Sequence, residues 1–194
     1  MGRQDVPLDD VGRQQADGLA SALQTAIPAR APLAVHSSPL LRATQTIAPF
    51  AAARELRVHL DHALVEMDFG HVAHSAGPRA KLRVKTKHLY DPLPGGESLF
   101  QVWRRAVDFF TRVWPALGSG DTVVVVAHYR VSQLLAGVAA GLDFESAVRT
   151  IRFKPANASV FEMSFAGGDR PAGPHALWSP PADPGPARTE RIEA

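Results

Sequence analysis

The sequence contains no cysteine among its 194 residues. This absence excludes disulfides, thiolate nucleophiles and zinc–thiolate sites together, and it fits a reducing compartment, so we expect a cytoplasmic protein. Long apolar runs are also lacking. The run from Val123 to Ala127 is far shorter than the roughly 20 residues that span a membrane. The first five residues lack the apolar core of a secretory signal, so we expect no membrane association.

The sequence also lacks a large excess of positive or negative charge. The 21 lysines and arginines nearly balance 19 aspartates and glutamates, for a formal net charge of +2. No strong field therefore favours nucleic acid as a partner. Hydrophobic residues make up 45% and charged residues 21%, which is typical of a soluble globular protein. We expect one domain over residues 1–179 and a disordered tail over 180–194, which is rich in proline.

The spacing of apolar residues predicts alternating strands and helices. Asp9 or Asp10 is expected to cap the first helix. The alternation predicts an α/β fold, a three-layer sandwich with a mainly parallel sheet flanked by helices. The valine run over 122–127 is typical of a strand covered on both faces. The predicted helices are 11–27, 40–52, 99–117 and 131–140, and the predicted strands are 32–36, 56–60, 122–127 and 159–165.

Histidine-containing clusters stand at two predicted strand ends, 36–38 and 128–130. Parallel sheets bind ligands beyond the carboxyl ends of their strands, which makes both clusters candidates for chemistry. His128 is followed by a predicted helix, whose first amides favour an anion. The same position also suits a histidine that is only hydrogen-bonded at a strand end.

Two further side chains are candidates, although each has a simpler explanation. Arg42 lies one turn into the second predicted helix, where a guanidinium can bind two phosphate oxygens at once. Glu66 lies among apolar neighbours, which raise a carboxyl pKa and suit a proton donor. A solvated helix arginine and a surface glutamate are the alternatives.

Taken in order along the chain, six motifs resemble those of the histidine phosphatase superfamily, whose fold is phosphoglycerate mutase-like. One of them is Ser-Ser-Pro-Leu-Leu-Arg-Ala-Thr-Gln-Thr at 37–46. The resemblance spans residues 2 to about 178. The other motifs are Gly-Arg-Gln-Asp-Val-Pro-Leu at 2–8 with its continuation at 12–16, Glu-Met-Asp-Phe-Gly at 66–70, Pro-Gly-Gly-Glu-Ser at 94–98, Val-Val-Val-Ala-His at 124–128 and Asn-Ala-Ser-Val at 157–160.

The resemblance implies roles for the three candidate residues. Members of the family attack phosphorus with the histidine of an Arg-His-Gly motif and form a phosphohistidine. By this resemblance Arg42 and His128 bind the phosphoryl group, and Glu66 protonates the leaving oxygen. It implies hydrolysis of a small phosphate monoester with no metal and no cofactor, and it favours a phosphatase over a mutase. The partner implied is a small phosphorylated substrate or another anionic ligand, and a homodimer is left open.

Arg-His-Gly does not occur in this sequence. In relatives about 20 residues precede the position of Gly2 and hold the first strand with the nucleophile. We therefore expect either that the chain is truncated at its N-terminus or that it is an inactive or repurposed member that binds an anionic ligand or partner. His36, His71 and His74 are alternative nucleophiles, but none lies on the required strand. Loss of that strand predicts unpaired backbone groups and a gap in the core.

Other positions also depart from the family pattern. The family's Phe-Gly-x-Trp-Glu-Gly reads Phe-Gly-His-Val-Ala-His at 69–74, and bulky Tyr129 and Arg130 follow His128. These changes predict an altered substrate or relaxed selection. A basic residue recurs at every second position over 79–87, which on an extended segment would attract an anionic substrate or simply face solvent. Trp103 and Trp114 are predicted to be helix core, in preference to a protein-interaction surface.

Overall fold

A computed structural model describes residues 2–73, 88–118, 120–150, 157–163 and 175–178. Within these ranges, strands and helices alternate over most of the chain. The helices are α1 (Asp10–Ala26), α2 (Leu41–Ala53), α3 (Leu99–Val113), α4 (Tyr129–Ala139) and α5 (Phe144–Thr150). The strands are β1 (Leu33–Ser37), β2 (Val58–Leu60), β3 (Thr122–Val126), β4 (Val160–Glu162) and β5 (His175–Trp178).

The main sheet is parallel and has the strand order β2-β1-β3. In its register Val35 lies opposite Val124, and Ser37 lies opposite Val126. The short strands β4 and β5 form a separate antiparallel pair. The predicted α/β class, with a mainly parallel sheet flanked by helices, is confirmed.

Helices pack on both faces of the main sheet because successive side chains of a strand point to opposite faces. On one face, Val35 and Val124 contact a core formed by α1 and α2, with Leu19 and Phe50 among its buried residues. On the other face, Val125 contacts a core formed mainly by α3 and α4. The two cores support the sheet as the middle layer of a sandwich.

Local sequence explains where the helices begin and end. Asp9 caps α1, its carboxylate accepting from the amide of Gly12 at 2.7 Å, which confirms the predicted cap. Ser98 and Gln101 form a capping box at the start of α3. Pro49 lies inside α2, which continues to Ala53, so the proline does not end that helix.

Several predicted details were wrong. The helix predicted over 99–117 ends at Val113 and continues as a 3₁₀ turn, because Pro115 has no amide hydrogen to donate. Trp114, predicted as core, is 37% exposed, whereas Trp103 is buried. The valine strand β3 is only partly buried at all five residues, because a cavity lies along it. Helix α5 and strand β5 were not predicted.

Two glycine-containing segments, 66–71 and 93–97, pack backbone against backbone beside the main sheet. The amide of Glu97 donates to the carbonyl of Asp68 at 2.9 Å, and the amide of His71 donates to the carbonyl of Pro94 at 3.0 Å. Gly70 has φ +49°, a conformation that favours glycine. A Cβ on Gly96 would lie 2.6 Å from the Asp68 carbonyl oxygen, so only glycine allows this contact.

Some sequence predictions fall outside the described residues. These are the alternating basic residues Arg79, Lys81, Arg83, Lys85 and Lys87, the histidine at 74 and the tail over 180–194. Among the described residues, no helix combines the length and the apolar character that crossing a membrane requires.

We predict that Gly96→Ala lowers the free energy of unfolding by about 1–3 kcal/mol, because the new methyl group forces the two segments apart. Gly118→Ala is the matched control, since a Cβ there comes no closer than 3.6 Å to any described atom, and it should change stability by less than about 0.5 kcal/mol. Urea denaturation of the two variants measures both values. Equal effects would contradict the proposed packing.

Candidate functional site

The parallel pairing of β1 and β3 brings their carboxyl ends together. The amide of Ser38 donates to the carbonyl of Val126 at 2.9 Å, which extends the ladder just past β1. The residues that follow the two strands therefore meet at one edge of the sheet. Both predicted histidine clusters end there, and Ser38 Oγ and His128 Nε2 share a hydrogen bond of 2.8 Å.

His128 is held neutral by its surroundings. It precedes the first residue of α4, and its imidazole is largely buried. Burial, together with the smaller effect of the positive charges of Arg42 and Arg105, lowers its pKa to about 3. A neutral imidazole in hydrogen-bond contact with a serine can bind the oxygen of an incoming anion.

Arg42 lies in the first turn of α2, and its guanidinium binds two carbonyls of the N-terminal segment. Nη1 donates to the carbonyl of Gln4 at 2.7 Å and Nη2 donates to the carbonyl of Gly2 at 2.8 Å. Asp5 holds the same loop by accepting from the amide of Leu41 at 2.7 Å. Segment 2–5 thus fixes the orientation of the guanidinium, whose remaining hydrogens stay available to a ligand.

Glu66 is a buried carboxyl, 8% exposed. Burial raises its pKa, and backbone hydrogen bonds from Met67 and Arg130 oppose the rise. Oε1 accepts from the amide of Met67 at 2.8 Å and Oε2 accepts from the amide of Arg130 at 3.4 Å. A raised pKa is what a carboxyl needs to act as a proton donor near neutral pH.

Arg42, Glu66 and His128 line one cavity of about 890 Å³. Their charges interact, since Glu66 raises the pKa of Arg42 against the lowering by burial, while Arg42 lowers the pKa of His128. The structure therefore brings together all three side chains singled out from the sequence. We name the part of the cavity between them the polar hollow.

A network of ion pairs lies next to the Glu66 segment. This network was not predicted from the sequence. Glu97 binds Arg3 at 2.9 Å and Arg105 at 3.1 Å, and it accepts from the amide of Asp68 at 2.9 Å. Arg3 also donates to the carbonyl of Glu66 at 3.3 Å. The Pro-Gly-Gly-Glu-Ser motif marked Glu97, but only the fold shows that this residue connects α3 to the Glu66 segment.

Neither alternative histidine that the structure describes points to the polar hollow. His36 lies on the α3 face of the sheet, stacked on His59 at 5.3 Å and edge-on to Phe109 at 5.4 Å. His71 lies beside Gly95. Within the described ranges, no group of three or more histidine or acidic side chains is arranged to hold a metal ion.

Comparison with known proteins shows to which family this chain belongs. The histidine phosphatase superfamily (branch 1) matches residues 1–172, and the chain therefore belongs to this superfamily. A 2,3-bisphosphoglycerate-dependent phosphoglycerate mutase from Methanosarcina acetivorans is 38% identical over 76 residues, which are 39% of this chain. The match spans only 29% of that mutase.

Solved structures agree with this membership. A mycobacterial glucosyl-3-phosphoglycerate phosphatase is 25% identical, with a TM-score of 0.69 over 84% of this chain and 80% of the other. The α-ribazole phosphatase from Shigella flexneri shares the fold, with a TM-score of 0.70 and 22% identity over 92% of this chain and 87% of the other. The family and its phosphatase neighbours support a phosphatase-like activity.

We predict that the depressed pKa of His128 makes stability fall in acid. The imidazole takes up a proton near pH 6.5 in the unfolded chain but only near pH 3 in the folded protein. Between these values the unfolded chain binds more protons than the folded protein. The free energy of unfolding therefore decreases by at most about 1.4 kcal/mol for each unit by which the pH is lowered. His128→Gln removes this contribution.

Urea denaturation between pH 7.5 and 5 measures the effect. The difference in stability between the native protein and His128→Gln should shrink as the pH falls, whereas the exposed control His62→Gln should leave the pH dependence of the native protein unchanged. Parallel curves for the native protein and His128→Gln would show that His128 is not held neutral by burial.

Proposed function

We propose that the polar hollow binds the phosphoryl group of a small phosphate monoester. The observation that carries this proposal is the convergence of Arg42, Glu66 and His128 on one cavity at the carboxyl edge of a parallel sheet. Phosphoryl transfer needs positive charge and hydrogen-bond donors placed around the equatorial oxygens. Arg42 supplies the charge, and the imidazole of His128 supplies the second contact.

Glu66 is proposed as the proton donor to the leaving oxygen. Its carboxyl is buried, and its raised pKa favours the protonated form that a general acid requires. The amide of Arg130 at the start of α4 contacts the same carboxylate, so the acid and the first turn of α4 lie side by side. Tyr129 lines the same cavity, and the guanidinium of Arg130 lies over the Tyr129 ring, 5.0 Å from its centroid.

The covalent step that the family resemblance implies needs one more histidine. Its imidazole nitrogen forms a bond to phosphorus, the ester P–O bond breaks, and Glu66 gives its proton to the leaving oxygen. Water then displaces the imidazole. This sequence has no Arg-His-Gly motif, and His36 and His71 lie away from the hollow. We therefore propose that residues outside these 194 supply the nucleophile, and that these residues alone bind phosphate esters without turnover.

A second function is a binding role alone. The missing motif is the observation that favours it, because the polar hollow retains its cation and imidazole whether or not a nucleophile is present. In that case the ligand is an anion of similar size, and the protein acts as a receptor for it. Both functions place the same ligand class in the same hollow.

We predict that the protein binds inorganic phosphate or orthovanadate and that Arg42→Gln weakens the affinity at least about tenfold, because a charged contact to the anion is lost. Arg42→Lys keeps the positive charge but loses the planar guanidinium that can bind two oxygens at once, and it should weaken binding less than Arg42→Gln. The control is Arg30→Gln, which removes an exposed arginine before the amino end of β1. Isothermal titration gives the affinities, and thermal melting checks that each variant is folded. Equal affinity of Arg42→Gln and Arg30→Gln for the anion would show that Arg42 does not bind it.

We also predict that the 194 residues do not accelerate hydrolysis of p-nitrophenyl phosphate, because the nucleophile is not among them. The measurement is release of p-nitrophenol with and without protein at neutral pH. Hydrolysis that disappears in His128→Ala would contradict the prediction and would show that a nucleophile is present in the chain.

A further inference from the structure

The hydrogen bond between Ser38 and His128 joins a residue behind the cavity to a residue that faces it. Ser38 is fully buried and is not among the described residues that line the cavity, whereas His128 is one of them. The contact of 2.8 Å is made by Ser38 Oγ and the Nε2 nitrogen of the imidazole. The serine therefore contacts the imidazole from the protein side and does not reach a ligand itself.

The hydrogen-bonding capacity of the Ser38 hydroxyl can be counted. A hydroxyl has one hydrogen to donate and two lone pairs that accept. One lone pair accepts from the amide of Leu40, with 3.3 Å between nitrogen and oxygen. Ser37 Oγ donates to the carbonyl of Ser38 and so leaves the Ser38 hydroxyl unused. Among the described residues, the acceptor that remains for the hydroxyl hydrogen is His128 Nε2.

This count decides which nitrogen of the imidazole carries the proton. If Nε2 carried a hydrogen and donated it to Ser38 Oγ, the hydroxyl hydrogen would be buried without an acceptor, which costs the full desolvation penalty of an unpaired donor. If the hydroxyl donates to an unprotonated Nε2, both groups are satisfied. A neutral imidazole has a single N–H, which then lies on Nδ1. Burial of His128 favours this neutral form, as its low pKa indicates.

The Nδ1 nitrogen of His128 is accessible. It has no hydrogen-bond partner among the described residues, and within those ranges no buried side-chain nitrogen or oxygen lacks a partner. Nδ1 is therefore not buried, and the imidazole borders the cavity that Arg42 also lines. An unprotonated nitrogen and a phosphoryl oxygen are both acceptors, so only a protonated Nδ1 can bind such an oxygen.

We propose that Ser38 is a positioning residue, which holds His128 in the Nδ1–H tautomer and so directs a hydrogen-bond donor at a phosphoryl oxygen. The identity of the ligand rests on the proposed function, but the tautomer is a property of the protein without ligand. The second serine of the Ser-Ser-Pro motif thus acts on the ligand through the imidazole.

Long-range ¹H–¹⁵N correlation NMR distinguishes the two tautomers in the 194-residue protein, because a protonated ring nitrogen resonates upfield of an unprotonated one. His128→Gln identifies the His128 signals by their loss. At neutral pH we expect Nδ1 upfield and Nε2 downfield. Ser38→Ala should move the two resonances toward each other, because the tautomers then interconvert. Ser38→Thr keeps the hydroxyl and should retain the native pattern.

Ser37→Ala is the matched control, because the Ser37 hydroxyl is equally buried but does not contact the imidazole. It should leave the nitrogen resonances of His128 in the native pattern. Affinity for inorganic phosphate is the second readout. Ser38→Ala should weaken it about two- to tenfold, since the donor is then present in only part of the molecules. Ser38→Thr and Ser37→Ala should keep the native affinity, and thermal melting checks that each variant is folded.

Two results would overturn the inference. One is a native protein in which Nε2 resonates upfield of Nδ1, a test that needs no serine variant to fold. The other is a folded Ser38→Ala variant with the native nitrogen pattern. The Nδ1–H pattern in a protein that does not bind phosphate would count against the proposed function and not against the tautomer.

Discussion

The parallel pairing of β1 with β3 is the constraint on which the site depends. Its register places Ser37 opposite Val126, so that Ser38 and His128 both lie just beyond the ends of their strands, where they share a hydrogen bond. A slip of one residue would turn every side chain of β3 to the opposite face and move His128 away from its partner. The two buried helical cores on either face make that register the stable one.

Burial is the main cause of the pKa shifts of two side chains in the polar hollow. Removal from water lowers the pKa of His128 and raises the pKa of Glu66, which favours the neutral form of each group. The guanidinium of Arg42 stays protonated beside them. An incoming anion therefore meets a positive charge, and the shifted pKa of Glu66 reduces competition from a negative carboxylate. Arg3 and Arg105, which form ion pairs with Glu97, do not themselves line the cavity.

The cavity has two chemically different parts. The polar hollow lies at the carboxyl edge of the sheet, while the apolar part lies along the valines of β3.

The class of fold, a cap at Asp9 or Asp10, most of the elements and the three candidate side chains that line one cavity could be predicted from the sequence. These features depend on short-range patterns of apolar spacing and on contiguous motifs, which a linear chain displays directly. The partial burial of β3, the exposure of Trp114 and the role of Glu97 could not, because they depend on which elements lie side by side. Whether a valine is covered or faces a cavity is decided by its neighbours in space, and only the tertiary structure supplies those.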